Sequence, residues 1–343
     1  MSTMDIFTND AFRTRELSEG INNIPNMWGR INELGLFTPK PLRTAAFMIE
    51  SQNGKLVIVQ SSERGTNVPA LQRGKREIRD FRTPRFALES RITADDISGI
   101  RQFGSESELV QVIDEVLDRQ VDLRSNMDIT REYLRAGALA GQVLDADGTV
   151  IVDLFSAFGV TQKVIDFDLG TGATDHAGKA REVLNHIDRN MKGDVKTGVH
   201  ALCSQTFFDN LMSNDSFKDA HKYYTSTVEP LRDDVRGGVP WQGITWEQYL
   251  GEGEVPQEDG TTQNKSFIAD GDVRFFPTGT RQSFRDYNAP ADYMETVNTP
   301  GQPFYSKVMP DTKANRFVDV EGQMNTLPMC MRPAVLVRGH SST

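Results

Sequence analysis

The sequence predicts an α+β fold dominated by one long helix, and three observations carry that prediction. Apolar residues recur at helical spacing from Leu109 to Ala138 with no proline between them. On both sides of that stretch lie short runs rich in β-branched and aromatic residues, punctuated by Asn53-Gly54 and Asp147-Gly148, dipeptides that favour two-residue hairpin turns. Further strand and helix patterns follow and give way to short strands towards the end of the chain, with no internal repeat and no low-complexity tract.

Residues 1–45 are polar and broken by Pro25, Pro39 and Pro41, with Asp10, Ser18 and Asn22 to Asn26 as turn or cap candidates. They read as an extended arm with at most short helices. From Thr44 the run AAFMIESQNGKLVIVQ reads as two strands joined at Asn53-Gly54, and REIRDFRTPRFALESRI continues as a half-buried strand. Together, residues 46–92 form a long two-stranded ribbon, and a ribbon of this kind needs another surface to lean on.

Ser105 and Glu108 form a capping box. Behind it, Leu109, Val112, Ile113, Val116, Leu117, Gln120 and Val121 open a helix that runs to Gly141, about 35 residues and about 50 Å long. Its polar face is acidic: Glu106, Asp114, Glu115, Asp118, Asp122, Asp128 and Glu132, a pattern that a solvated face also produces. After Gly141, VLDADGTVIVDL is a hairpin with Asp147-Gly148 at its tip, and VTQKVIDFDL is a strand. Thr174 or Asp175 caps a helix through KAREVLNHIDRN, and VHALCSQTFFDNLMSND is a strand followed by an amphipathic helix. Residues 236–275 read as Gly-rich short strands, and the tail RFVDVEGQMNTLPMCMRPAVLVRG as two strands split by Pro328 and Pro333.

The composition is that of a globular protein: 343 residues, 38% hydrophobic and 25% charged. Its 38 Lys and Arg against 48 Asp and Glu give a net charge of −10. That charge is unevenly spread. Residues 64–91 hold eight basic side chains and three acidic ones, so this segment carries +5 and the remainder −15. Two cysteines, Cys203 and Cys330, are too few for a disulfide scaffold and read as buried thiols. The N-terminus has no apolar signal segment and no window reaches the length of a membrane helix, so a cytoplasmic origin and no membrane partner are expected.

Catalytic grammar is missing. The five histidines are scattered, and no metal site is expected. Gly170-x-Gly172 lies between a strand and a helix, but Asp175 stands where a dinucleotide fingerprint needs its third glycine. A phosphate loop fails there too, with five residues between Gly172 and Gly178 and Ala180 in place of Ser or Thr. Asp145-x-Asp147-Gly148 lacks the remaining calcium ligands and is better read as a turn. No catalytic residue and no cofactor is assigned. The positive features are the arm, the basic ribbon and the acidic helix, which fit together if subunits interlock. Arg73, Lys75, Arg76, Arg79, Arg82 and Arg85 of one copy would then meet Asp114, Glu115, Asp118 and Asp122 of another. The alternative is a nucleic-acid-binding protein using residues 64–91, against which stands the lack of Tyr or Trp for base stacking.

The long helix followed by LAGQVLDADGTVIVDLFSAFGVTQ, VIDFDL and a capped helix, with the closing segment GQPFYSKVMPDTKANRFVDVEGQMNTLPMCMRPAVLVRG, resembles the lambda-like capsid protein E family of tailed bacteriophages. The resemblance extends from about Ala45 to the end. It implies the major capsid fold shared by tailed phages and herpesviruses. Residues 1–45 would be the N-terminal arm, 46–100 the extended β-hairpin loop, and 101–200 the peripheral domain with a spine helix at 104–141. The axial domain would span 201–312, and strands 313–343 would return to the peripheral domain. It also implies a virion subunit forming hexamers and pentamers of an icosahedral head, made in the host cytoplasm. The head would enclose double-stranded DNA without sequence-specific binding. With no helical leader ahead of the arm, the resemblance implies a separate scaffolding protein, and it leaves room for a decoration protein. Some relatives cross-link a loop lysine to an asparagine; Lys75, the one lysine of residues 64–91, is no ground for assigning that chemistry.

Overall fold

A computed structural model describes residues 12–24, 29–52, 76–93, 95–96, 108–171, 174–215, 217–218, 238–256, 261–311 and 316–342. The chain divides into two compact units, each assembled from three stretches of sequence. One comprises Met1–Ala46, Arg82–Arg135 and Asp286–Pro328; the other Phe47–Phe81, Ala136–Arg285 and Met329–Thr343.

The first unit is organised by the long helix, Glu108–Ala140, whose residues up to Arg135 belong to it. The helix matches the expected span within a few residues, and the Ser105 cap lies outside the described residues. Val116 and Leu123 on its apolar side pack with Phe12, Leu17, Ile92, Val308, Val318 and Val320 in one buried cluster. Those valines and Ile92 come from an antiparallel sheet ordered Tyr305–Pro310, Phe317–Met324, Phe86–Thr93, with Val320 facing Val308 on one side and Ser90 on the other. The arm contributes a helix, Thr14–Asn23, that buries Leu17 and Ile21, and a short turn of helix, Arg30–Glu33. Ser18 is not a cap. It sits mid-helix, buried, with its hydroxyl accepting from the Ser306 N–H at 3.2 Å.

The ribbon differs from the expected one. Ala46–Gln52 pairs with Arg76–Arg82, but Phe86–Thr93 leaves this pair and joins the three-stranded sheet. The break falls at Thr83-Pro84-Arg85, where proline removes a ladder donor and fixes its own φ. The Asn53-Gly54 turn lies outside the described residues.

In the second unit, Gly141 ends the long helix at φ +87°, and a Cβ there would stand 2.0 Å from the Phe155 ring, so only glycine fits. Gln142–Leu144 and Val150–Asp153 form the expected hairpin around Asp147-Gly148. A six-stranded mixed sheet is ordered Lys163–Asp166, Val337–His340, Asp272–Thr278, Gly198–Cys203, Ile244–Gln248, Val239–Trp241. Its central strand Gly198–Cys203 is buried along almost its whole length, as a strand covered on both faces must be. Helix His176–Asn190 buries Ala180, Val183 and Ile187, and helix Gln205–Ser213 buries Phe207, Phe208 and Leu211. Phe167, Phe207, Phe275 and Trp246 interlock there, Trp246 standing edge-on to Phe275 at 5.2 Å and to Phe167 at 5.7 Å. Both cysteines are buried and free, as expected.

The tail makes three strands where two were expected. Pro328 lies inside Thr326–Cys330, which is an edge strand of the sheet Thr38–Pro41, Phe284–Asn288, Thr326–Cys330, and an edge tolerates the missing N–H. Pro333 does split the tail, opening the tight turn that precedes Val337–His340.

Candidate functional site

The polar side of the long helix resolves into two different surfaces. One is buried. Val116, Gln120, Arg124, Asp128 and Glu132 stand at four-residue intervals, one row along the helix. The last four are polar yet lie in the interior. Each meets a partner. Gln120 donates to the Ser306 hydroxyl at 2.8 Å; Arg124 donates to Asp128 at 3.0 Å and to the Ile21 carbonyl at 2.8 Å, and its guanidinium lies 3.7 Å over Phe304. The Glu132 carboxylate accepts from the backbone N–H of Ile31 at 2.7 Å and of Asn32 at 3.2 Å. It thereby caps a helical turn whose own N-cap, Gly29, has no side chain to offer. Gly29 adopts φ +118°, and a Cβ on it would come within 2.5 Å of the same carboxylate.

At the C-terminal end of this row Arg131 and Arg135 converge on Asp286, which is completely buried and also accepts from the Thr326 hydroxyl at 2.6 Å. Arg135 reaches back to Asn32 of the arm at 2.5 Å. Burial works against ionising Asp286, but the two guanidinium groups outweigh it and hold the carboxyl well below the usual range. At Asp128 the balance goes the other way: burial raises its pKa, and Arg124 offsets only part of that. Asp128 and Glu132 therefore are not part of a solvated acidic face, as the sequence pattern suggested. Glu132 fastens the arm to the helix, and Asp128 holds Arg124, which reaches the arm at the Ile21 carbonyl. The signal that could have revealed this is the row itself, because Gln120, Arg124 and Asp128 continue the line of buried Val116.

The second surface is exposed. Asp114, Asp118 and Asp122 face solvent, interleaved with Leu117 and Val121, which are 43% and 37% exposed. Glu115 is drawn aside to Arg119 at 2.9 Å.

The predicted basic residues fall into different situations. Arg73 and Lys75 lie outside the described residues, and Arg76 opens the strand Arg76–Arg82. Arg79 lies over the Phe158 ring, 4.7 Å from its centroid. Phe81 stacks on the same ring at 6.3 Å and packs at a tilt against Phe47 at 5.9 Å, so this face anchors the ribbon's base. Arg82 is exposed. Arg85 is engaged within its own chain by Asp292 and Glu321, both at 2.9 Å, and Arg91 by Asp319 at 2.8 Å. The ribbon is thus less uniformly cationic on its outer side than the count of arginines implied.

The glycine loop before helix His176–Asn190 already holds an anion of its own. Asp175 accepts from the Gly178 N–H at 2.8 Å, at the place where a phosphate would have to sit. Asp147 accepts from both the N–H and the hydroxyl of Thr149 at 2.7 Å, which lowers its pKa and fixes a turn. Among the described residues no group of three or more His, Cys, Asp or Glu could hold a metal, and no helix is long and apolar enough to cross a membrane.

The family model described as phage major capsid protein E matches residues 13–341. The major capsid protein of Pseudomonas phage KPP10 is 28% identical over 347 residues, covering 96% of this chain and 97% of the relative. That of Salmonella phage Felix O1 is 28% identical over 355 residues, covering 95% of each. Among solved structures, a candidate capsid protein of a prophage from E. coli CFT073 superposes with a TM-score of 0.57 at 13% identity, covering 96% of this chain and 99% of the other. At that identity the superposition speaks for the fold alone. Nothing in these likenesses favours a nucleic-acid-binding role for residues 64–91.

Proposed function

This chain belongs to the phage major capsid protein E family and is a structural capsid subunit, and we propose that copies of it interlock as hexamers and pentamers through the ribbon and the long helix. The observation that carries the proposal is the exposed stripe of Asp114, Asp118 and Asp122 on a helix whose other polar row is buried inside the chain. A segment with a balance of +5 elsewhere in the same chain supplies the complement. Such a contact is heterologous, one patch meeting a different patch, and repeats into closed rings and shells. Arg73, Lys75, Arg76 and Arg82 would steer the approach, with Asp114, Glu115, Asp118 and Asp122 as their counterparts, while Arg79 stays over the Phe158 ring. Arg85, already held by Asp292 and Glu321, would contribute by orienting the base of the loop.

In the same reading the arm is residues 1–45, the extended loop 46–100, the peripheral domain 101–200, the axial domain 201–312 and the closing strands 313–343. The subunit is made in the host cytoplasm, assembles with a separate scaffolding protein and encloses double-stranded DNA without reading its sequence. A decoration protein would bind the finished outer surface. We assign the subunit no catalytic step. Electron microscopy of the expressed chain, with scaffold supplied, should show shells or tubes, and a monomer under every such condition would overturn the proposal. Charge reversal at Arg76 or Arg82 should block assembly while leaving the subunit folded.

A further inference from the structure

Strand alternation divides the ribbon into two faces. Phe47 and Phe81 touch at 5.9 Å, so they share one face, with Ile49 and Arg79 beside them. Ala46, Met48, Ile78, Asp80 and Arg82 then share the other. All five are exposed, Met48 by 71% and Ile78 by 61%. Two large apolar side chains turned to water on an otherwise anchored ribbon need a destination. The long helix offers a matching pattern: Leu117 and Val121, one turn apart, framed by Asp114, Asp118 and Asp122. Both surfaces have an apolar centre beside charged groups, Arg82 and Asp80 on the ribbon and the three carboxylates on the helix.

We infer that the contact between copies is centred on apolar burial, with Met48 and Ile78 of one subunit seated on Leu117 and Val121 of the next, and that the charges form its rim. The inference rests on the reading that ribbon and helix of neighbouring subunits meet, and it names what holds them. Exposed ion pairs contribute little and are screened by salt, so a rim of arginines and aspartates selects the partner and sets register but does not hold it. Arg79 and Arg85, which a purely ionic contact would need, are already engaged within the chain. A few apolar side chains at the centre, shielded by a polar rim, carry most of the strength of such interfaces.

The test uses the full-length chain. A photo-crosslinking amino acid at position 48 or 78, in particles assembled from mixed heavy-isotope and unlabelled copies, should join to the 108–124 peptide of a different copy. Met48→Ser with Ile78→Ser, and separately Leu117→Ser with Val121→Ser, should lower particle yield by about tenfold or more without changing the melting of the free subunit. Wild-type particles should persist at about 1 M salt, where the screening length is about 3 Å. Serine variants that assemble normally, or wild-type particles that fall apart in salt, would overturn the apolar centre while leaving the interlocking intact. Cross-links that avoid residues 108–124 altogether would remove the ribbon-to-helix contact itself.

Discussion

The two units of this chain solve the same problem, holding distant segments together, with opposite chemistry. In the second unit the sheet is held by interlocked rings, Trp246 against Phe167, Phe275, Phe207 and Trp241, all buried. In the first, the arm is held to the long helix by a row of buried polar groups, Gln120, Arg124, Asp128, Glu132 and Arg135, together with Asp286. Ring packing is strong but tolerant of small shifts. A buried carboxylate that accepts from two particular backbone N–H groups tolerates none, because a displaced partner leaves an unpaired charge out of water. The difference teaches that the aromatic unit is built for stability and the polar seam for position.

That contrast can be broken by substitution. Trp246→Ala and Asp286→Ala should each cost about 3–5 kcal/mol in denaturant unfolding, the first by leaving a cavity and the second by orphaning two buried guanidinium groups. Equal losses insensitive to pH in both variants would erase the distinction. The pH response should separate them. Asp286 has a depressed folded-state pKa, so its stabilising contribution is complete above the unfolded carboxylate value of about 4 and declines as the pH falls below it. The gap between wild type and Asp286→Ala should therefore narrow on acidification, while the gap to Trp246→Ala stays constant. Asp128 has the opposite sign: its raised pKa makes its ionised form a cost that is relieved as pH falls through that value, so Asp128→Asn should steepen the acid loss. Gly29→Ala should cost about 1–3 kcal/mol, since it combines strain at φ +118° with a clash on the Glu132 carboxylate. Hydrogen exchange at Ile31 and Asn32 should rise with it. Smallest of all should be Arg15→Ala, which removes an exposed pair with Glu19 one helical turn away and should scarcely move the melting temperature.

Much of the fold was legible because it is written locally. An uninterrupted apolar period gave the helix Glu108–Ala140, Asp147-Gly148 gave its hairpin, and Asp175 gave the cap of His176–Asn190. What was not legible depends on partners far away in sequence. Glu132 looks like a solvated acid until the arm, about a hundred residues earlier, is laid against it. Nothing near Asp286 in sequence announces Arg131 and Arg135. The candidate interface was half legible: counts of charge found the basic ribbon and the acidic helix. Only exposure shows that Leu117, Val121, Met48 and Ile78 face solvent near those charges, and only the ion pairs show that Arg85 is spent on Asp292 and Glu321.

The seam that fastens the arm also acts as a form of proofreading. An arm slipped by one helical turn would strand Glu132 without the N–H groups of Ile31 and Asn32, and would pull Asn32 from Arg135. Each stranded charge costs about 3–5 kcal/mol, which lowers the population of such conformers by more than a hundredfold. A misregistered subunit is thus removed by the cost of dehydrating its own charges before it can enter a lattice, and the uniformity of the copies is settled inside each chain.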